Sequence, residues 1–168
     1  MPIQQYLAAP LLLLAALLLY GCSEPPVAPV NGKPAPGFTL ERLAGGTLEL
    51  PAQLQGKVVA VRFWADWCPF CEEEMTALEP VYRKYQSSGL EILAINVRQD
   101  NDTVQRFVDK LGINYPVLLD REGEVARNYA VMGLPTTFFV DRSGTLRRRI
   151  LGESTPETFE QILLELLK

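Results

Sequence analysis

The sequence predicts one α/β domain with a central mixed β-sheet flanked by helices. Three observations predict it: apolar runs at strand length alternate with helical patterns, a β-hairpin signal follows near the end, and an amphipathic helix closes the chain. Lys57–Trp64 (KVVAVRFW) is a nearly continuous apolar run, as expected for a central strand covered on both faces. It leads into a helical pattern after Cys71, with Met75, Leu78, Tyr82 and Tyr85 on one side and Pro80 expected to kink or restart it. Leu90–Val97 reads as a second buried strand, and Asp102–Leu111 as a helix whose Val104, Phe107, Val108 and Leu111 face inward. Pro116–Leu119 is short and extended, and Glu124–Tyr129 fits one or two helical turns. Thr136–Val140 and Thr145–Leu151 flank the turn signal Asp141-Arg142-Ser143-Gly144 and read as a hairpin. In the last helix Ser154 and Glu157 form a capping box ahead of Phe159, Ile162, Leu163, Leu166 and Leu167.

The ends of the chain divide from this body by composition. Leu7–Tyr20 is a leucine-rich run too short to cross a bilayer comfortably, and it fits the core of a signal peptide. Ser23–Gly37 carries five prolines (Pro25, Pro26, Pro29, Pro34, Pro36) and almost no large apolar side chain, which makes a stiff spacer. The boundaries that follow are 1–21 for the signal segment, 22–37 for Cys22 and the linker, and 38–168 for the folded domain.

Charge and composition exclude several functions. The 168 residues are 48% hydrophobic with a net charge of −4, and the 16 Lys and Arg are spread from Lys33 onward, which leaves no basic stripe for nucleic acid. The triplet Arg147-Arg148-Arg149 reads as a solvated strand edge. There is no histidine, so neither Ser–His nor Cys–His nucleophilic machinery exists and the commonest metal ligand is missing.

Of three cysteines, Cys22 stands alone while Cys68 and Cys71 are paired at Cys-x-x-Cys spacing where a strand meets a helix. Unpaired N–H groups and the dipole at a helix N-terminus favour a thiolate, lowering a thiol from about 8.5 to roughly 3.5–7.5. Cys68 is therefore expected as an exposed nucleophile, and Cys71, almost one turn on, as the buried thiol that resolves a mixed disulfide. A zinc site lacks two further ligands, and a purely structural disulfide would close too small a loop to stabilise much. Binding of Cu(I) by the two thiolates is the competing reading.

Phe63-Trp64-Ala65-Asp66-Trp67-Cys68-Pro69-Phe70-Cys71 resembles the active-site signature of thioredoxins. Gly56-Lys57, Pro116–Asp120 and Gly133-Leu134-Pro135-Thr136-Thr137-Phe138 make the chain similar, from about Phe38 to Lys168, to the TlpA/ResA/CcmG branch. Leu19-Tyr20-Gly21-Cys22 resembles a lipoprotein lipobox, with Tyr20 bulkier than usual and no basic residue in Met1–Tyr6; it implies lipidation of Cys22, with an uncleaved anchor or ordinary signal cleavage as the alternatives, and each places the chain on the periplasmic side of the bacterial envelope.

The resemblance implies a thioredoxin-like fold, a monomer that needs no cofactor or metal, and reduction of disulfides in client proteins, often during cytochrome c maturation. Electrons would come from a DsbD/CcdA-type membrane protein. A disulfide-forming oxidase is the rival within this class, and the Thr-x-x-Cys of peroxidases is absent. It also implies that Pro135 is the cis-proline facing the disulfide, with Leu134 and Thr136 beside it docking the client backbone. Trp67, Pro69 and Phe70 would shape the substrate groove, Pro69-Phe70 pointing to a less reducing poise than general thioredoxins. Glu74, three residues after Cys71, would be an acid beneath the site able to exchange a proton with the resolving thiol; a solvated first turn is the plain alternative. Arg62 departs from the family, which has a buried acid or a neutral residue six positions before the first cysteine. An arginine in a buried strand needs a partner: either Glu74 or a surface acid elsewhere.

Overall fold

The computed structural model describes residues 28–168, so the signal segment and Cys22 lie outside the described residues. Seven strands form one sheet: β1 (Phe38–Arg42), β2 (Thr47–Leu50), β3 (Val58–Trp64), β4 (Leu90–Val97), β5 (Val117–Asp120), β6 (Thr136–Val140) and β7 (Leu146–Leu151). Their order is β2-β1-β5-β4-β3-β6-β7. The pairs β3–β4 and β4–β5 are parallel, and the outer pairs are antiparallel. Helices α1 (Cys71–Tyr85), α2 (Asn101–Leu111), α3 (Glu124–Asn128) and α4 (Pro156–Leu167) complete it. This is the mixed α/β sheet that the alternation predicts, and it has the thioredoxin-like arrangement.

Period-two alternation divides the buried strands between two cores. Val58, Ala60 and Trp64 of β3 join Met75 and Leu78 of α1, Val104 of α2, and Phe159 and Leu163 of α4. Val59, Val61 and Phe63 join Val125 and Ala126 of α3, Tyr129 and Phe138 on the opposite face. Arg62 occupies the α1-facing register between Ala60 and Trp64. Glu91, an acid inside buried β4, is satisfied locally: Lys57 Nζ donates to it at 2.6 Å and the Tyr82 hydroxyl at 3.1 Å. Burial and the neighbouring Glu91 carboxylate push the Tyr82 hydroxyl up to about 12.

Four local expectations are revised. The β1–β2 hairpin was not anticipated, although Gly45-Gly46, both at positive φ, is a hairpin turn signal between alternating residues. Helix α1 continues through Pro80 with no restart. Thr76, whose carbonyl loses its donor there, is exposed, while Tyr115 Oη donates to the Met75 carbonyl at 2.8 Å and Glu79 accepts from Asn114 and Arg83. Although burial alone would raise it, these bonds from Asn114 and Arg83 hold the Glu79 carboxyl below its usual range. The cap of α4 is Thr155, accepting from Thr158 N–H with Pro156 as the first helical residue, and not Ser154. Finally, the chain meets the fold before Phe38: Gly32 and Ala35 N–H donate to the Leu146 and Gly144 carbonyls, and Tyr129 Oη donates to the Pro36 carbonyl.

Candidate active site

Cys68 and Cys71 are joined by a disulfide with their Cα atoms 5.4 Å apart. The bond sits just past the carboxyl end of β3, where Trp64 gives way to the turn Ala65–Phe70. Cys68 N–H donates to the Ala65 carbonyl at 3.2 Å and Cys71 N–H to the Cys68 carbonyl at 3.1 Å. The helix proper begins at Cys71, so Cys68 lies in the turn leading into α1, and the disulfide brings its sulfur to the helix's first residue. Gln99, which follows β4, braces this turn: its Oε1 accepts from Asp66 N–H (2.9 Å) and from Asn96 (2.8 Å), and its Nε2 donates to Asp66 Oδ1. Sequence reasoning missed Gln99 because its partner lies 33 residues away.

The expectation of an exposed Cys68 is not met in this disulfide form, where Cys68 is 2% exposed and Cys71 fully buried. Both cysteines belong to the core cluster of Trp64 and Met75. What reaches solvent is the surround. Trp67 is 68% exposed, Phe70 is half exposed, and Asp66 and Pro69 are also exposed. Met132, just before the Gly133-Leu134-Pro135 loop, is 93% exposed and was overlooked; an apolar residue beside that motif was the available signal. Trp64 packs in the core, stacked on Phe107 with ring centroids 5.0 Å apart.

The Leu134–Pro135 peptide is cis. Thr136 corrects an expectation: its side chain is buried and donates to the Gly133 carbonyl at 2.7 Å, so it braces the loop and does not face a client. Its backbone is already paired with Phe63 and Leu151. Leu134 lies before these ladders begin and is half-buried.

Glu74 and Arg62 meet. Arg62 Nη1 donates to Glu74 Oε1 at 2.8 Å and to Thr137 Oγ1 at 3.1 Å, and Ser154 Oγ donates to the same carboxylate oxygen at 2.8 Å. Arg62 is fully buried and Glu74 is 5% exposed, so the pair is an internal one, and Glu74 is not a solvated first-turn acid. Ser154, read as a helix cap, is thus a member of this network. Glu72 is the surface acid, pairing with Lys110 of α2 at 2.6 Å. A groove of about 640 Å³ opens over the first turn of α1, lined by Phe70, Glu73, Glu74, Ile150, Ser154 and Pro156.

A paired dithiol that opens a helix, framed by apolar side chains, is suited to thiol–disulfide exchange: a client thiolate or disulfide meets a sulfur whose partner is already within bonding reach.

Comparison with known proteins agrees with this chemistry. The AhpC/TSA family matches residues 31–149. The thiol-disulfide oxidoreductase ResA of Bacillus thuringiensis is 38% identical over 132 residues, covering 79% of this chain and 76% of that protein. ResA of Geobacillus thermodenitrificans is 39% identical over 132 residues, covering 79% and 75%. Among solved structures, a thiol:disulfide interchange protein of the thioredoxin family from Chlorobium tepidum superposes with a TM-score of 0.74 at 28% identity, covering 84% of this chain and all of that one. A secreted Mycobacterium tuberculosis disulfide oxidoreductase homologous to Escherichia coli DsbE gives 0.65 at 28% identity, covering 77% and 93%. The chain belongs to the AhpC/TSA family and, within it, is a thioredoxin-fold thiol–disulfide oxidoreductase of the ResA kind.

Proposed function

We propose that this oxidoreductase reduces disulfides in client proteins outside the cytoplasm, with Cys68 attacking the client and Cys71 releasing it. The observation that carries the reading is the Cys68–Cys71 disulfide at the entry to α1, with Trp67 and Phe70 exposed in its turn and Met132 exposed in the loop before cis Pro135. These apolar side chains suit an unfolded or extended client, and Leu134, outside the sheet ladders, is the backbone available to pair with it. The reaction needs no cofactor or metal beyond the disulfide itself, and the chain acts as a monomer.

The lipobox-like Leu19-Tyr20-Gly21-Cys22 supports removal of residues 1–21 and lipidation of Cys22, with the proline-rich linker after it carrying the folded domain, which the chain joins from Gly32 onward, on the periplasmic side of the bacterial envelope. Among the described residues no helix is long and apolar enough to cross a membrane. The resemblance of residues 38–168 to the TlpA/ResA/CcmG branch supports a place in cytochrome c maturation, with a DsbD/CcdA-type membrane protein as electron donor.

A Cys71→Ala variant tests the exchange. Lacking the resolving thiol, it is expected to accumulate clients disulfide-linked to Cys68, and Cys68→Ala to accumulate none. Equal trapping by both variants would refute the assigned roles. Trapping of free thiols in intact cells separates reduction from oxidation, since a reductase is recovered mostly reduced. A Cys22→Ser variant should leave the membrane fraction.

A further inference from the structure

The residue that the exchange chemistry does not yet use is Arg62. It is fully buried on β3, in the register that faces α1, and its two hydrogen bonds tie the first turn of α1 (Glu74) to the strand that follows Pro135 (Thr137). Its Nε and Nη2 find no partner among the described residues, nor does Glu74 Oε2. The positive charge is permanent, because a guanidinium does not deprotonate in a protein. Only Nη1 of the guanidinium is bonded to an anion. One helical turn separates Glu74 from Cys71.

We propose that Arg62 is a positioning residue of the exchange reaction, holding Glu74 as a bound carboxylate and lending its own fixed charge to the turn that carries Cys71. The thiolate of Cys71 is then favoured electrostatically, without an acid that accepts its proton. The inference rests on the reading of Cys71 as the resolving thiol. In that step the Cys71 thiolate attacks the Cys68 sulfur of the mixed disulfide, the Cys68–client S–S bond breaks, and the electron pair leaves on the client sulfur, which takes a proton from water. The charged and titratable groups on the elements packed about this helix turn are Arg62 from β3, Glu73, Glu74 and Glu79 of the helix itself, Glu153 across the groove, and Tyr115, which donates to the Met75 carbonyl. Burial pushes the Tyr115 hydroxyl above the usual phenol range, so it stays neutral throughout.

Two readings of the network predict opposite signs. If Glu74 were the proton acceptor, removing its charge would move the pH midpoint of the resolving step upward. If Arg62 supplies the electrostatics, removing Glu74 unmasks more positive charge and moves the midpoint downward. Stopped-flow mixing of the reduced chain in detergent, with Cys22→Ser so that only Cys68 and Cys71 react, with Ellman's reagent separates the steps. The first thionitrobenzoate released reports attack by Cys68, and the second reports Cys71. Arg62→Gln should raise the midpoint of the second phase by roughly one to three pH units, the range over which a neighbouring opposite charge acts. Arg62→Lys should restore it, and Glu74→Gln should lower it.

Where Arg62→Gln fails to fold, the comparison of Glu74→Gln with the double variant isolates the arginine charge without leaving a lone buried carboxylate. The double variant should then have a midpoint at least about one unit above Glu74→Gln. Equal midpoints in that pair, or a rise in Glu74→Gln, would overturn the proposal. Absence of the first phase in the chain bearing Cys22→Ser alone would instead sink the reading of Cys68.

Discussion

Breaking the Arg62–Glu74 pair from one side should cost far more than removing it whole. In Arg62→Met the carboxylate of Glu74, 5% exposed, keeps only the Ser154 hydroxyl as donor. An uncompensated buried charge costs about 3–5 kcal/mol, whereas replacing both partners by apolar side chains of similar volume is often neutral or stabilising. With total stabilities of about 5–15 kcal/mol, the single variant loses a large share of its margin. At about 1.5–2 kcal/mol per molar of urea, the midpoint should fall by about 2 M. The Arg62→Met, Glu74→Met double variant should lie within about 1 kcal/mol of the parent, so the two substitutions couple by several kcal/mol. Urea unfolding of the oxidised protein, followed by far-ultraviolet circular dichroism, measures all three. A single variant that loses less than about 1 kcal/mol, or a double variant as weak as the single, would refute the picture of a dry, mutually dependent pair.

Three further outcomes are expected. Phe159→Ala, which empties a fully buried site against Phe139 with ring centroids 4.9 Å apart, should cost about 3–5 kcal/mol in the same assay. Ser154→Ala should destabilise by about 1.5–3 kcal/mol, because it takes a donor from a buried carboxylate, and Thr155→Ala by only about 1 kcal/mol as an N-cap; the reverse order in urea midpoints would return the cap to Ser154. Asp141, held at about 2 despite its partial burial by Ser143, Arg147 and Thr145 donors, has a folded value below its ordinary 3.8. Its contribution is present above pH 3.8 and is lost as pH falls through about 2, so Asp141→Asn should be less stable than the parent at neutral pH and the gap should close across that window.

The sites that sequence pattern located are those whose signals are local. A buried strand running into Cys-x-x-Cys and a helix is a contiguous stretch, and so is the loop that carries Pro135. Continuous apolar runs placed β3 and β4, a turn signal between β-rich runs placed β6, and period-3.6 spacing placed α4. The Gly45-Gly46 turn was equally local and could have been read. Proline's helix-breaking tendency overstated the case at Pro80, since the lost carbonyl partner there faces solvent while the helix's inner face stays packed.

What the chain alone established, then, is the α/β order, the redox pair and the need of Arg62 for an anion. Only the tertiary structure decided which anion. Glu74 stands 12 positions from Arg62 and Ser154 a further 80 from Glu74, separations that become 2.8 Å contacts solely because α1 and the lead-in to α4 pack on one face of the sheet. The same holds for the reach of Gln99 to Asp66 and for the burial of Cys68. Local propensity carries no information on these, because hydrogen bonds and exclusion of water depend on distances that long-range packing sets.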